Sequence, residues 1–332
     1  MKFGTVGTGW ITETFIEAAH ETGLMELSGV YSRTLEKAER LSETYQPALV
    51  VNKIQRLAES DIDVVYIASP NALHYDHARL FIEHGKHVIC EKPIFSNLNE
   101  WDAAQRLAEQ HGVFLFEAMR NLHTPNFLQL KKHLEKVGTI RGALLHYIQY
   151  SSRYDRFLDG ETPNVFSPDF SGGALVDLGV YPLALAVGLF GEPQRVTYHP
   201  VLLRSGIDGA GTLVLSYDGF QCTILCSKIA HSTLASEIHG ESGTITLDRV
   251  APIGSLHWTD NHTKLTEAVG VSQKGNDMVY EIEAFANIIE KNDKARYEGL
   301  SAISRSVLSI TEQARKQNQI LFASERGNLG AR

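Results

Sequence analysis

Over its first 120 residues the chain alternates short apolar runs with longer segments of helical period, and that alternation constrains the fold more than any other feature. The apolar runs are Phe3 to Val6, Leu27 to Tyr31, Val64 to Ala68, His87 to Cys90 and Val113 to Phe116. Between them "LEKAERLSETY", "LHYDHARLFIEHG" and "NEWDAAQRLAEQHG" place apolar residues every three or four positions, the spacing of a helix with one buried face. Strands separated by helices imply a parallel sheet with right-handed crossovers, so residues 1–120 read as a doubly wound, Rossmann-type α/β domain. After Pro125 the pattern changes. A helix over about 126–136 is followed by alternating runs such as "IRGALLHYIQY" and "AGTLVLSYDGFQCTILCSKI", and Tyr217-Asp218-Gly219-Phe220 supplies a hairpin turn. Residues 121–332 therefore read as an α+β domain built on a large, mostly antiparallel open sheet. It closes with helical segments near 277–291 and 301–322, the last expected to pack back on the first domain.

Two domains suit a chain of 332 residues, which exceeds what one core usually organises. With a net charge of -8 the protein has no general attraction for nucleic acid or anionic lipid. Cys90, Cys222 and Cys226 offer neither a disulfide framework nor a zinc spacing, which fits a reducing cytoplasm and no metal. No secretory leader is expected at "MKFGTVGTGW". No run of roughly 20 uninterrupted apolar residues, the length a membrane span needs, is read.

The first strand runs into "GTGWIT", so Gly7, Thr8, Gly9, Trp10 and Ile11 occupy the first strand-to-helix turn. Gly7 permits the tight turn, and Gly9 lets the backbone approach a pyrophosphate at the helix N-terminus. Thr12 replaces the third glycine of the dinucleotide fingerprint. After the second run "GVYSRTLEKA" offers Ser32 and Arg33, with no carboxylate before Glu36. A hydroxyl and a guanidinium suit a 2'-phosphate, so NADP is preferred to NAD. The alternative makes Ser32 or Thr34 a helix cap. "ASPNALHYDHA" puts Ser69, Asn71 and His74 at the same carboxyl edge of the sheet, where ligands of open α/β sheets bind; Asn71 as a cap and His74 with His77 as an exposed pair are the alternatives. "CEKP" brings Glu91 and Lys92 to that edge.

In "SGGALVDLGVYPLALAVGLFG", residues 171–191, Asp177 and Tyr181 lie four apart and share a helix face. A carboxylate and a phenol on an otherwise apolar helix need a reason. Either they serve chemistry, or Tyr181 is a core aromatic bonded to Asp177.

The ordered motifs "GTGWIT", "SR", "SPNALH", "EKP", "FEAMR" and "GGALVDLGVYP" resemble those of the Gfo/Idh/MocA oxidoreductases over nearly the whole chain. The resemblance implies that Lys92 lies at the nicotinamide and that Asp177 serves the substrate hydroxyl. Where the family motif has histidine this chain has Tyr181, as in the branch of dimeric dihydrodiol dehydrogenase and NADP-linked xylose dehydrogenases, in which tyrosine is the acid-base group. The family also implies homodimers or homotetramers built through the outer face of the large sheet. An alcohol that gives up hydride must give its proton to a positioned base. A phenol titrates near 10, so it needs about two to three units of help at neutral pH, which a nearby ammonium favours. The expected roles are Tyr181 as general acid/base, Lys92 as its electrostatic activator or the proton donor itself, and Asp177 as orienter. Arg120, Asn121, Tyr150, Arg153 and Tyr154 are candidate contacts to a sugar, polyol or cyclic diol. The expected activity is an NAD(P)-dependent dehydrogenase acting on CH-OH groups; the alternatives are an NAD-dependent glycoside hydrolase of the same family and a non-catalytic NAD(P)-binding regulator.

Overall fold

The structure, a computed structural model, describes residues 1–326. The chain forms β1 (Lys2–Val6), α1 (Trp10–Thr22), β2 (Glu26–Tyr31), α2 (Leu35–Tyr45), β3 (Leu49–Val51), α3 (Ile54–Ala58), β4 (Val64–Ile67), α4 (His74–Glu83), β5 (His87–Glu91), α5 (Leu98–His111) and β6 (Leu115–Ala118). These strands make a parallel six-stranded sheet in the order β3-β2-β1-β4-β5-β6, the doubly wound arrangement that the alternation predicts. The three-residue β3 was not among the apolar runs. Local chemistry sets the helix ends. The Asn97 side chain accepts from Glu100 N at 3.1 Å while the Glu100 carboxylate accepts from Ser96 N at 2.9 Å, a reciprocal cap that starts α5.

The remaining elements are α6 (Pro125–His133), β7 (Ile140–Ile148), α7 (Tyr154–Leu158), α8 (Val180–Phe190), β8 (Arg195–Leu202), β9 (Asp208–Tyr217), β10 (Phe220–Ser227), β11 (Ser236–Gly240), β12 (Gly243–Leu247), β13 (Leu256–Asp260), β14 (Thr266–Ala268), α9 (Met278–Lys291), α10 (Lys294–Gln317) and α11 (Ala323–Arg326). Strands β7 to β14 form one eight-stranded sheet, ordered β14-β13-β12-β11-β7-β10-β9-β8. It is antiparallel except where β7 and β10 run parallel. The predicted hairpin joins β9 and β10, and Gly219 there takes φ +78, a conformation glycine adopts at no steric cost.

The chain divides into two compact units, Met1–Ala118 with Lys274–Arg305, and Met119–Gln273 with the chain from Ser306 on. The cut after Ala118 falls two residues before the expected boundary at 120, and of the segment 301–322 expected to return only the part up to Arg305 joins the first unit. The segment that joins the first unit is 274–305, and the reason is apolar burial. Met278, Val279, Ile282, Phe285 and Ile288 of α9 are buried in one core with Phe3, Phe15, Tyr66 and Phe116. From Ser306 the chain bonds to the second unit instead: Gln317 donates to Val196 O and Asn318 to Tyr198 O, each at 3.0 Å.

The stretch Pro168–Phe190 is apolar enough, by length and composition alone, to cross a membrane, although Asp169 and Asp177 interrupt its apolar run. Of its most apolar 18-residue window 72% is buried inside the protein, as in the core helix of a globular fold.

Candidate active site

The first unit builds a dinucleotide edge at the carboxyl ends of β1, β2 and β4. Gly7 has φ +117, and a Cβ there would lie 2.7 Å from Ala68 O, so only glycine fits the turn. A Cβ on Gly9 would meet nothing within 4 Å, which leaves space in front of the first turn of α1, where Gly9 supplies no side-chain cap. The orphan N–H groups of that turn are a site for phosphate. Thr12 is fully buried. Trp10 stands 69% exposed, and Ile11 packs against the core.

Two cavities flank this turn. One, of about 200 Å³, is lined by Gly7, Thr8, Ser32, Arg33, Lys37 and Ser69, and by His77. The other, of about 520 Å³, is lined by Thr8, Gly9, Lys37 and Arg40. Ser32 accepts from Thr34 N at 3.3 Å, and Thr34 holds the N-cap position of α2 without a side-chain cap bond. Arg33, Lys37 and Arg40 are exposed. Lys37 and Arg40 were not singled out in the sequence; Lys37 stands in the first turn of α2, just past the loop that carries Arg33. The donors and the open turn fit a dinucleotide whose phosphates rest on the α1 N-terminus.

His74 is not half of an exposed pair. It is fully buried, and its ring nitrogens lie 3.0 Å from Pro93 O and 2.8 Å from Ser69 O, tying the β4 and β5 loops together. Burial lowers its pKa. His77 Nδ1 lies 3.0 Å from Ser69 Oγ, and burial lowers its pKa to about 4, so its ring is neutral at pH 7. Asn71 opens a tight turn, Asn71–Leu73, that leads into α4, and the N-cap position of that helix falls to Leu73.

At the end of β5, Glu91 accepts from the Tyr66 hydroxyl at 2.6 Å and from Lys92 N at 3.2 Å. Ile94, two residues past Lys92, is held on both sides of its peptide. Its N–H donates to Glu117 Oε1 at 3.0 Å and its carbonyl faces Cys90 Sγ at 3.7 Å. The turn carrying Lys92 is thus fixed by His74, Cys90 and Glu117.

In the second unit, Leu175–Gly179 forms a π turn that runs into α8. Its backbone hydrogen bonds close five residues back rather than four, a local departure from the regular helix expected over Asp177 and Tyr181. Asp177 pairs with Lys228 at 2.5 Å. Lys228 is 2% exposed and also donates to Val165 O at 3.3 Å. Tyr181, 7% exposed, has its ring 5.5 Å from that of Tyr147 and 6.0 Å from the Arg120 guanidinium carbon. Close backbone approach explains Gly172 and Gly173, where a Cβ would lie 2.7 Å from Val165 O and 2.3 Å from Asp208 Oδ1. Asp208 in turn accepts from Leu175 N at 2.7 Å and from the Tyr198 hydroxyl at 2.6 Å, anchoring the start of the π turn.

Of the other candidates, Asn121 is fully buried and donates to Tyr181 O and Val250 O; its amide is committed to the backbone. Tyr150 donates to Asp155 at 2.6 Å, while Tyr154 packs on Phe157 and Phe166. Arg153 is exposed at the start of α7. A cavity of about 300 Å³ in this unit is lined by Tyr147, Gln149, His231, Asp248 and Arg249 among others, none of which the sequence marked. Lys228 was missed too, although a lysine closing the apolar β10 is a visible anomaly. Among the described residues no group of three or more His, Cys, Asp or Glu is placed to hold a metal.

A Rossmann unit with a phosphate-ready turn, joined in one chain to an open mixed sheet, is the architecture of a dinucleotide-dependent oxidoreductase. Residues 1–119 match the Gfo/Idh/MocA oxidoreductase family with its NAD-binding Rossmann fold, and residues 127–246 match the Gfo/Idh/MocA C-terminal domain. The chain belongs to this family and is an NAD(P)-dependent oxidoreductase. It is 42% identical over 326 residues to the uncharacterized oxidoreductase YgjR of Escherichia coli (strain K12), covering 98% of each chain. It is also 42% identical to scyllo-inositol 2-dehydrogenase (NADP(+)) IolU of Bacillus subtilis (strain 168), over 98% of this chain and 99% of that one. Among solved structures, KijD10, a 3-ketoreductase from Actinomadura kijaniata in complex with NADP and TDP-benzene, superposes with a TM-score of 0.79 at 22% identity, covering 92% of this chain and 95% of that one, a likeness of fold.

Proposed function

We propose that the protein is an NADP-preferring dehydrogenase or reductase of a polyol, sugar or cyclic diol, with Lys92, Asp177 and Tyr181 as its chemical groups. The observation that carries the reading is the buried phenol of Tyr181 with the Arg120 guanidinium 6.0 Å away. A cation near a phenol favours phenolate and offsets the burial that disfavours it, and phenolate is the form able to take a hydroxyl proton.

A bound nicotinamide supplies the hydride acceptor, or the donor in the reverse direction. Tyr181 takes or returns the proton of the substrate oxygen. Lys92 contributes positive charge that favours a developing alkoxide, on a turn fixed by three side chains. Asp177, anchored by Lys228, orients the substrate hydroxyl. Arg33 and Lys37 beside Ser32 offer the charge that a 2'-phosphate requires, which supports NADP over NAD, as does the cofactor named for the relative IolU. That relative's name also favours a cyclic polyol within the substrate class. The cysteines are free and buried, consistent with a reducing cytoplasm, and assembly as a homodimer or homotetramer through the outer face of the eight-stranded sheet accompanies the reading.

The test is the nicotinamide absorbance change on a panel of inositols, pentoses and diols, with wild type, Lys92→Met and Tyr181→Phe. Loss of a positioned acid-base group lowers turnover by about 10²–10⁴-fold, while NADP+ still raises the melting temperature. Turnover that survives both substitutions refutes the assignment.

A further inference from the structure

We infer that Glu117 is the positioning residue for Lys92: its buried carboxyl holds the peptide of Ile94, and its proton sets the charge beside the ammonium. The inference rests on the proposed role of Lys92. Its geometry lies wholly within the first unit. Glu117 sits on β6 directly opposite Cys90 of β5, so both side chains address the turn that follows β5. Glu117 Oε1 accepts from Ile94 N at 3.0 Å and Cys90 Sγ faces Ile94 O at 3.7 Å. Ile94 is 1% exposed and cannot exchange these contacts for water. The other oxygen, Oε2, is buried with no hydrogen-bond partner among the described residues.

A carboxyl with one oxygen engaged and the other dry and unpartnered is better suited to a proton than to a charge. The groups facing it are Glu91 and Lys92 at the end of β5, Cys90 on β5, and the Ser304 hydroxyl of α10. Burial raises its pKa to about 7; the facing Ser304 hydroxyl, the Ile94 N–H and the Lys92 charge pull it down, and Glu91 pushes it up. Around neutral pH the same side chain therefore exists as an acid that only holds the turn and as an anion that also offsets the Lys92 charge.

The test compares kcat as a function of pH for wild type and Glu117→Gln, which keeps a carbonyl oxygen for Ile94 N–H and cannot ionise. The ratio of variant to wild type is constant below about pH 6 and rises by about threefold or more above pH 8, with a midpoint near 7, because only the wild type acquires the offsetting anion. Ser304→Ala removes a facing hydroxyl that favours the anion and moves the wild-type midpoint to higher pH. A purely structural role changes the level of the curve and not its shape. A ratio that is flat or falling with pH, or a midpoint that Ser304→Ala leaves in place, overturns the inference. Lys92→Met separates the two claims: if it retains turnover, the Lys92 reading falls; if it is inactive while the ratio is flat, only the Glu117 inference falls.

Discussion

Replacing Lys228 by methionine tests the architecture of the second unit most directly. The lysine is 2% exposed and its partner Asp177 is 29% exposed. Removing one member of a buried pair costs about 3–5 kcal/mol, because the other charge is left uncompensated. Asp177 keeps partial access to water, so the expected loss is nearer about 2–3 kcal/mol, and methionine retains most of the aliphatic contact with Phe166, over whose ring the ammonium lies at 5.1 Å. For a unit of this size about 1 kcal/mol corresponds to ~2–4 °C, so calorimetry should record a fall of roughly 5–10 °C. The double variant Lys228→Met with Asp177→Asn removes the stranded charge and should recover about half of that loss or more, a coupling that a double-mutant cycle measures. A single-variant loss below about 0.5 kcal/mol, or a double variant no more stable than the sum of the singles, would refute the claim that this pair anchors the π turn.

Three further outcomes follow from the first unit. Gly7→Ala, which forces a Cβ to within 2.7 Å of Ala68 O at φ +117, should cost about 1–3 kcal/mol and abolish the NADP+-induced thermal shift. Arg33→Ala combined with Lys37→Ala should weaken NADP+ binding by about 10–100-fold while changing NAD+ binding little, read by fluorescence titration; equal losses for both cofactors would remove the 2'-phosphate assignment. His77 has a pKa lowered to about 4 by burial, so the folded state favours its neutral form. Its contribution to stability is therefore complete above the unfolded value of about 6.5 and declines as pH falls toward 4. NMR titration should show its ring proton shifts constant above pH 6, and His77→Gln should flatten the acid limb of the stability curve.

Legibility in the sequence followed the range of the interactions. The parallel sheet, β3 apart, was readable because a helical period between apolar runs is a local signal, and the Gly7–Gly9 turn because its backbone geometry allows few other residues. Ser32 and Arg33, read from their distance beyond that turn, line a cavity with Gly7 and Thr8. The Asp177–Lys228 pair was not, since it closes across 51 residues and no periodicity registers it. The π turn at Leu175–Gly179 was hidden for a different reason: composition cannot distinguish a single five-residue turn from the α turns that follow. Asn121, expected to contact a substrate, instead gives its amide nitrogen to the backbone, because a fully buried amide must satisfy its own donors first. Glu117 looked like part of an apolar strand, "LFEA", and only the pairing of β5 with β6 reveals what it faces.

The first unit is discontinuous: α9 fills a core begun by Phe3 and Phe15 almost three hundred residues earlier. On a ribosome making the chain from its N-terminus, the nucleotide-binding layer must therefore wait, with an apolar face uncovered, while the entire eight-stranded sheet is synthesised. A fragment ending at residue 120 would keep that face exposed and should self-associate. A chain in which residues 274–305 precede residue 1 through a linker would deliver α9 first and shorten the wait.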